Sequence, residues 1–170
     1  DTAAEVWNYT YGTDGQIVKT VVDSAGTSVY TAGYDLWRGI IRKVNTSTGN
    51  ITWQYNAMLD DVNLDLGLDG QWTSFQDIVL DSTESYLYAT GYGRERNISD
   101  GVTYGYMLLL KIDTSTGAVV WKSTFRKENP TRGWNICIDG TDSYVYVLSH
   151  DTANTFFTSA PGAVVSKHST

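Results

Sequence analysis

"KIDTSTGAVVWK", residues 111–122, has a near copy in "KVNTSTGNITWQ", residues 43–54, 68 positions earlier. A string needed once in a molecule is often chemical, whereas a string needed repeatedly is structural. The surrounding sequence favours the second kind. "VVDSAGTSVYTAGY" (21–34), "IVLDSTESYLYATGY" (78–92) and "ICIDGTDSYVYVLSH" (136–150) align without gaps. Asp23, Asp81 and Asp139 stand 58 residues apart, as do Tyr30, Tyr88 and Tyr146, and Gly33, Gly91 and Ser149. Self-similarity at one fixed interval is the signature of a repeat architecture.

The duplicated string supplies the second half of the unit. Gly49 matches Gly117, and Trp53 matches Trp121; Trp7, in "AEVWNYTY" (4–11), occupies the same tryptophan column. The larger offset of this half comes from about ten extra residues, "RERNISDGVT" (94–103). The near-terminal "GAVVSKHST" (162–170) reads as the start of a third copy, before its glycine and tryptophan.

Each unit of roughly 60 residues therefore reads as four short antiparallel strands. In the second unit they are expected near 75–80, 86–91, 106–112 and 119–125. Val, Ile, Thr, Tyr and Trp dominate, with 16 Gly and only 2 Pro, which is strand composition with frequent turns. Asn45 and Asp113 suit Asx-type turns, and Gly49 and Gly117 can take positive φ to close them. Asp23, Asp81 and Asp139 are expected to do the same in the first hairpin of each unit. Near-continuous apolar runs such as "YMLLL" predict strands covered on both faces.

Such units resemble β-propeller blades. The similarity is greatest to the bacterial propeller repeat often called SBBP, with Asp81…Tyr88…Gly91 followed by Lys111…Asp113…Gly117…Trp121. Quinoprotein dehydrogenase propellers carry a similar "D-x-x-T-G-x-x-x-W" segment. The resemblance implies an all-β fold, a partial β-propeller of about two and a half four-stranded antiparallel blades. Residues 1–16 would hold the last strand of a preceding blade, 17–56 a blade, 57–72 an acidic insert, 73–126 a blade, and 131–170 an incomplete blade. A propeller closes with about four blades or more. The 170 residues are thus expected to belong to a longer chain, or to a ring completed by other chains.

Composition limits the partners. There are 12 Lys and Arg against 19 Asp and Glu, a net charge of −7. An acidic chain without a basic run is a poor match for nucleic acid or an anionic bilayer. No stretch approaches the roughly 18 apolar residues of a membrane-spanning helix. The single cysteine, Cys137, permits no internal disulfide. Its alternating surroundings, "WNICID", suggest a buried strand thiol, with a covalent link to another chain as the other reading.

A catalytic set is not recognisable. His150 and His168 each stand alone, and there is no nucleophile elbow or phosphate-cradling loop. Arg94 and Arg96 read as solvated loop charges. The quinoprotein resemblance covers the docking segment alone, so its cofactor does not follow. Asp61, Asn63 and Asp65 alternate as in calcium loops, but Leu66 stands where an EF-hand loop needs glycine. The simpler reading is a strand-like segment with an apolar face and a wet acidic one. Four Asn-x-Ser/Thr sequons, at Asn8, Asn45, Asn50 and Asn97, suggest a glycoprotein outside the cell, with Asn97 the best placed. Trp37, Trp72 and Trp134 lie outside the docking column; they suit either inter-blade packing or an aromatic surface for glycan or peptide.

The expected function is a non-enzymatic, secreted or cell-surface scaffold. It would adhere to or bind protein or glycan, and assemble with other copies or other chains. The alternative is a fragment of a propeller enzyme, such as a quinoprotein-type dehydrogenase, whose active residues lie elsewhere.

Overall fold

The computed structural model describes residues 6–8, 14–57, 68–97, 103–126, 131–151 and 163–170. The strands are β1 (Gln16–Val22), β2 (Ser28–Asp35), β3 (Arg38–Asn45), β4 (Ile51–Ala57), β5 (Leu68–Leu80), β6 (Tyr86–Asn97), β7 (Thr103–Asp113), β8 (Val119–Arg126), β9 (Thr131–Ile138), β10 (Tyr144–Asp151) and β11 (Ala163–Ser169). They form three antiparallel meanders: sheet A (β1-β2-β3-β4), sheet B (β5-β6-β7-β8) and sheet C (β9-β10-β11). The all-β class expected from the sequence is the class found. The arrangement is compatible with part of a propeller and does not close among the described residues.

Local chemistry explains the hairpins. Asp23 Oδ1 accepts from the Thr27 and Ser28 N–H groups at 2.7 and 3.1 Å. Asp81 accepts from Tyr86 N–H at 3.0 Å, and Asp139 from Ser143 N–H at 2.8 Å. In the long-range repeat, Gly26, Glu84 and Asp142 all take positive φ, at 67°, 57° and 55°. The two non-glycine residues use their side chains across sheets. Ser24 N–H donates to Glu84 Oε1 at 2.6 Å, and Ser82 N–H donates to Asp142 at 3.1 Å. The price of left-handed backbone is offset by a hydrogen bond to the preceding unit.

The glycine column has its own cause. Register shifts fall between Ile17 and Lys19, and between Phe75 and Asp77, opposite Gly33 and Gly91. A Cβ on Gly33 would lie 1.8 Å from the Gln16 carbonyl oxygen, and one on Gly91 would lie 2.1 Å from that of Ser74. The bulged strand presses its backbone where a side chain would sit. In sheet C, Ser149 takes the place of the glycine and pairs with Gly133, where a Cβ would lie 2.1 Å from Thr90 Oγ1 of sheet B.

Two apolar layers hold the stack. Tyr30, Ala32 and Ile41 of sheet A pack on Phe75, Ile78, Leu87, Ala89, Leu110 and Ile112 of sheet B. Tyr88, Met107 and Leu109, on the other face of sheet B, pack on Ile136, Val145 and Val147 of sheet C. Sheet B is covered on both faces, as its unbroken apolar runs predict. A polar clasp crosses all three sheets. Asp77, buried in β5, binds Lys19 Nζ at 3.0 Å and accepts from Ile136 N–H at 3.0 Å.

Three expectations change. β5 reaches back to Leu68, into the residues read as acidic insert. β6 and β7 run past the expected ends, pairing Arg94 with Gly105 and Arg96 with Thr103, so Arg94 belongs to a strand and not a loop. Cys137 is exposed. It pairs with Tyr146 on the outward face of sheet C, which no further sheet covers among the described residues.

Candidate functional site

The duplicated string forms a joint between sheets. Trp53 of β4 donates its indole N–H to the Thr114 carbonyl oxygen at 2.9 Å, and Trp7 donates to that of Thr46 at 2.7 Å. Each indole lies on the turn glycine of the next sheet. A Cβ on Gly117 would come within 2.7 Å of the Trp53 ring, and one on Gly49 within 3.0 Å of Trp7. Gly117 and Gly49 also have φ of 75° and 71°. Glycine is thus required twice over at these turns, by backbone and by contact. Asn45 and Asp113 set them, each accepting from the N–H groups two and three residues on. The Ser115 hydroxyl, then the Thr116 N–H, hold the Asp113 carboxyl down at about 2. Burial tends to raise Asp23 and Asp139, yet their hydrogen bonds outweigh it and both are lowered. These are the repeat residues of the sequence reading, and their role is architectural.

The opposite end of the sheets carries a different cluster. Tyr34, near the end of β2, meets Trp72 edge-on at 6.0 Å between ring centres. Trp72 meets Tyr92 at 4.9 Å, and Tyr92 meets Trp134 at 6.3 Å. The row runs from sheet A through sheet B to sheet C. Two guanidinium groups cover it: Arg94 lies 5.8 Å from the Trp72 ring centre, and Arg132 lies 4.6 Å from that of Tyr92. Trp134 is 40% exposed, and Trp37, in the β2–β3 turn at this end, is 70% exposed.

Burial pushes the Tyr92 phenol up, against the opposing pull of Arg132 and Arg94. It therefore stays protonated at neutral pH, as a hydrogen-bonding group. Exposed indole beside stacked guanidinium offers an apolar face with fixed donors, the composition favoured in recognition surfaces. Among the described residues, no group of three or more His, Cys, Asp or Glu is placed to hold a metal.

The remaining sequence candidates are dispersed. Asn8, Asn45 and Asn50 are exposed, with Asn45 engaged in its turn. Asn97 ends β6, and its side chain lies outside the described residues. Asp61, Asn63 and Asp65 also lie outside them. Trp72 and Trp134 pack in the row between sheets, and Trp134 is partly exposed. Sequence reading missed Tyr34, Tyr92 and Arg132. The first two stand 58 residues apart, so the repeat interval itself marked them. No family model matches the chain, and no curated protein matches it.

Proposed function

We propose that this chain is a non-enzymatic β-propeller module of a secreted or cell-surface glycoprotein, a scaffold that binds glycan or protein. The observation that carries the reading is the row Tyr34–Trp72–Tyr92–Trp134 with Arg94 and Arg132, crossing three sheets at one end. Rigid aromatic groups held by neighbouring strands offer large contact area at little cost in side-chain entropy. The repeat columns support the propeller assignment, and the exposed sequon residues Asn8, Asn45 and Asn50 support the extracellular one.

The reading predicts that a glycan or peptide array, probed with the chain, returns discrete ligands. Trp134→Ala should weaken them by about tenfold or more, as for a typical aromatic anchor. Retained binding in that variant would remove the aromatic row from the function. Intact mass of the chain from its native source, before and after enzymatic deglycosylation, tests the extracellular part. An unmodified chain would remove it.

A further inference from the structure

The aromatic row carries hydrogen-bond donors without acceptors. An indole N–H can only donate. Those of Trp72 and Trp134 find no acceptor among the described residues, whereas Trp7 and Trp53 donate theirs to the Thr46 and Thr114 carbonyls. Tyr92 is the clearest case. It is 7% exposed, yet its hydroxyl has no hydrogen-bond partner among the described residues. Tyr34, its counterpart in the repeat, donates to Gln16 Oε1 at 3.2 Å. A buried polar group without a partner costs free energy until a ligand or water satisfies it.

The cations show the same imbalance. Arg94 and Arg132 stack on Trp72 and Tyr92. Stacking uses the flat face of a guanidinium and leaves its in-plane N–H groups to bond elsewhere. Neither cation meets a carboxylate among the described residues, whereas Lys19 is paired with Asp77. The charges that act on the Tyr92 hydroxyl are Arg132 and Arg94, with no carboxylate among them. The chain has 19 Asp and Glu against 12 Lys and Arg, so two adjacent guanidinium groups without an acid run against its overall balance. These groups sit on β5, β6 and β9, where strand pairing fixes their spacing.

We infer that this end of the sheets takes a carboxylate-bearing sugar, a uronic acid unit of a glycan. Its carboxylate would be held by Arg94, Arg132 and the Tyr92 hydroxyl, and its ring would lie against Trp134. The inference rests on the binding role proposed for the row and adds the charge of the ligand. A planar carboxylate matches the guanidinium fork and strengthens each hydrogen bond by its charge. A pyranose holds that carboxylate and an apolar C–H face in one rigid unit. The site offers the same pair: Arg132 lies over Tyr92, and partly exposed Trp134 stands 6.3 Å from the Tyr92 ring. An acidic peptide carries its carboxylates on flexible arms with no flat face beside them, so it fits only the cationic half.

Calorimetric titration with an oligogalacturonate, its methyl ester and a poly-Glu peptide tests the inference. The acid form should bind about tenfold or more tightly than the ester, which lacks the charge. That advantage should shrink as salt is raised. Tyr92→Phe keeps the ring and removes only the hydroxyl, so the unfolding midpoint should hold while affinity for the acid form falls about tenfold. Arg94→Gln, at an exposed position, should cost a similar factor. Arg132→Lys keeps the charge but loses the fork, and should also weaken binding. Equal affinity for acid and ester, a peptide bound as tightly as the uronate, or no binding of oligogalacturonate at all would each overturn the inference. So would unchanged affinity in Tyr92→Phe and Arg94→Gln. In any of these cases a neutral glycan or a peptide that depends on Trp134 would still support the binding role of the row, so the two failures are distinguishable.

Discussion

Sheets B and C are built from the same columns, yet they bury different fractions of them. Tyr88 and Leu109 of sheet B lie in a sealed layer, while Tyr146 and Val165, their counterparts in sheet C, meet solvent. The residue types barely differ. The cover differs: sheet C seals one face of sheet B, and nothing among the described residues seals the outer face of sheet C. A hydrophobic position in a repeat thus states a capacity for burial, and a neighbouring unit realises it.

The comparison breaks most visibly with paired truncations. Leu109→Ala should cost about 2–5 kcal/mol, because it leaves a cavity in a closed layer. Val165→Ala should stay within about 0.5 kcal/mol in the single chain. Urea unfolding of both at low concentration checks the contrast; equal losses would mean that sheet C is sealed in solution.

The next effect concerns the turn glycines. Gly117→Ala should cost about 1–2 kcal/mol for the left-handed backbone alone, plus displacement of the Trp53 ring. Gly26→Ala, at φ 67° with open space around its Cβ, should cost the backbone part only. The difference between the two midpoints measures the indole contact. Smaller still is the indole hydrogen bond. Trp53→Phe should lose about 1 kcal/mol with the bond to Thr114. Trp121→Phe should lose less, since Trp121 Nε1 has no acceptor among the described residues.

Acid supplies the last and mildest test. Asp113 titrates at about 2 in the folded chain, against 3.8 unperturbed. Its contribution is complete above the unfolded value and is lost as pH falls from about 4 towards 2. Asp23 and Asp139, also lowered, add to the same slope. Asp113→Asn reproduces the neutral turn that Asn45 already makes. It should flatten that part of a stability-versus-pH curve, followed by thermal melts between pH 2 and 5. An unchanged slope would show that Asp113 titrates normally.

Much of the fold is readable from single residues, because hairpin chemistry acts over a few positions. Asp23, Asp113 and Gly117 each specify a turn through their own bonding and dihedral needs. The docking partners follow from repetition, which placed Trp7, Trp53 and Trp121 in one column. The aromatic row was harder to see. Trp72 sits in a strand extension that composition presents as insert, and Arg94 and Arg96 look like loop charges until they pair with β7. Arg132 reaches Tyr92 only because two sheets stack.

The sequence by itself determined the four-strand unit, its turns, the interval of 58 and the side of each strand that is apolar. These depend on local dihedrals and on alternation, both written residue by residue. Only the tertiary structure decided which apolar sides are covered, that Cys137 faces out, and that Tyr34, Trp72, Tyr92 and Trp134 form one contiguous row. Burial and clustering depend on what stands across the gap between sheets, and one strand's pattern does not encode its neighbour's presence.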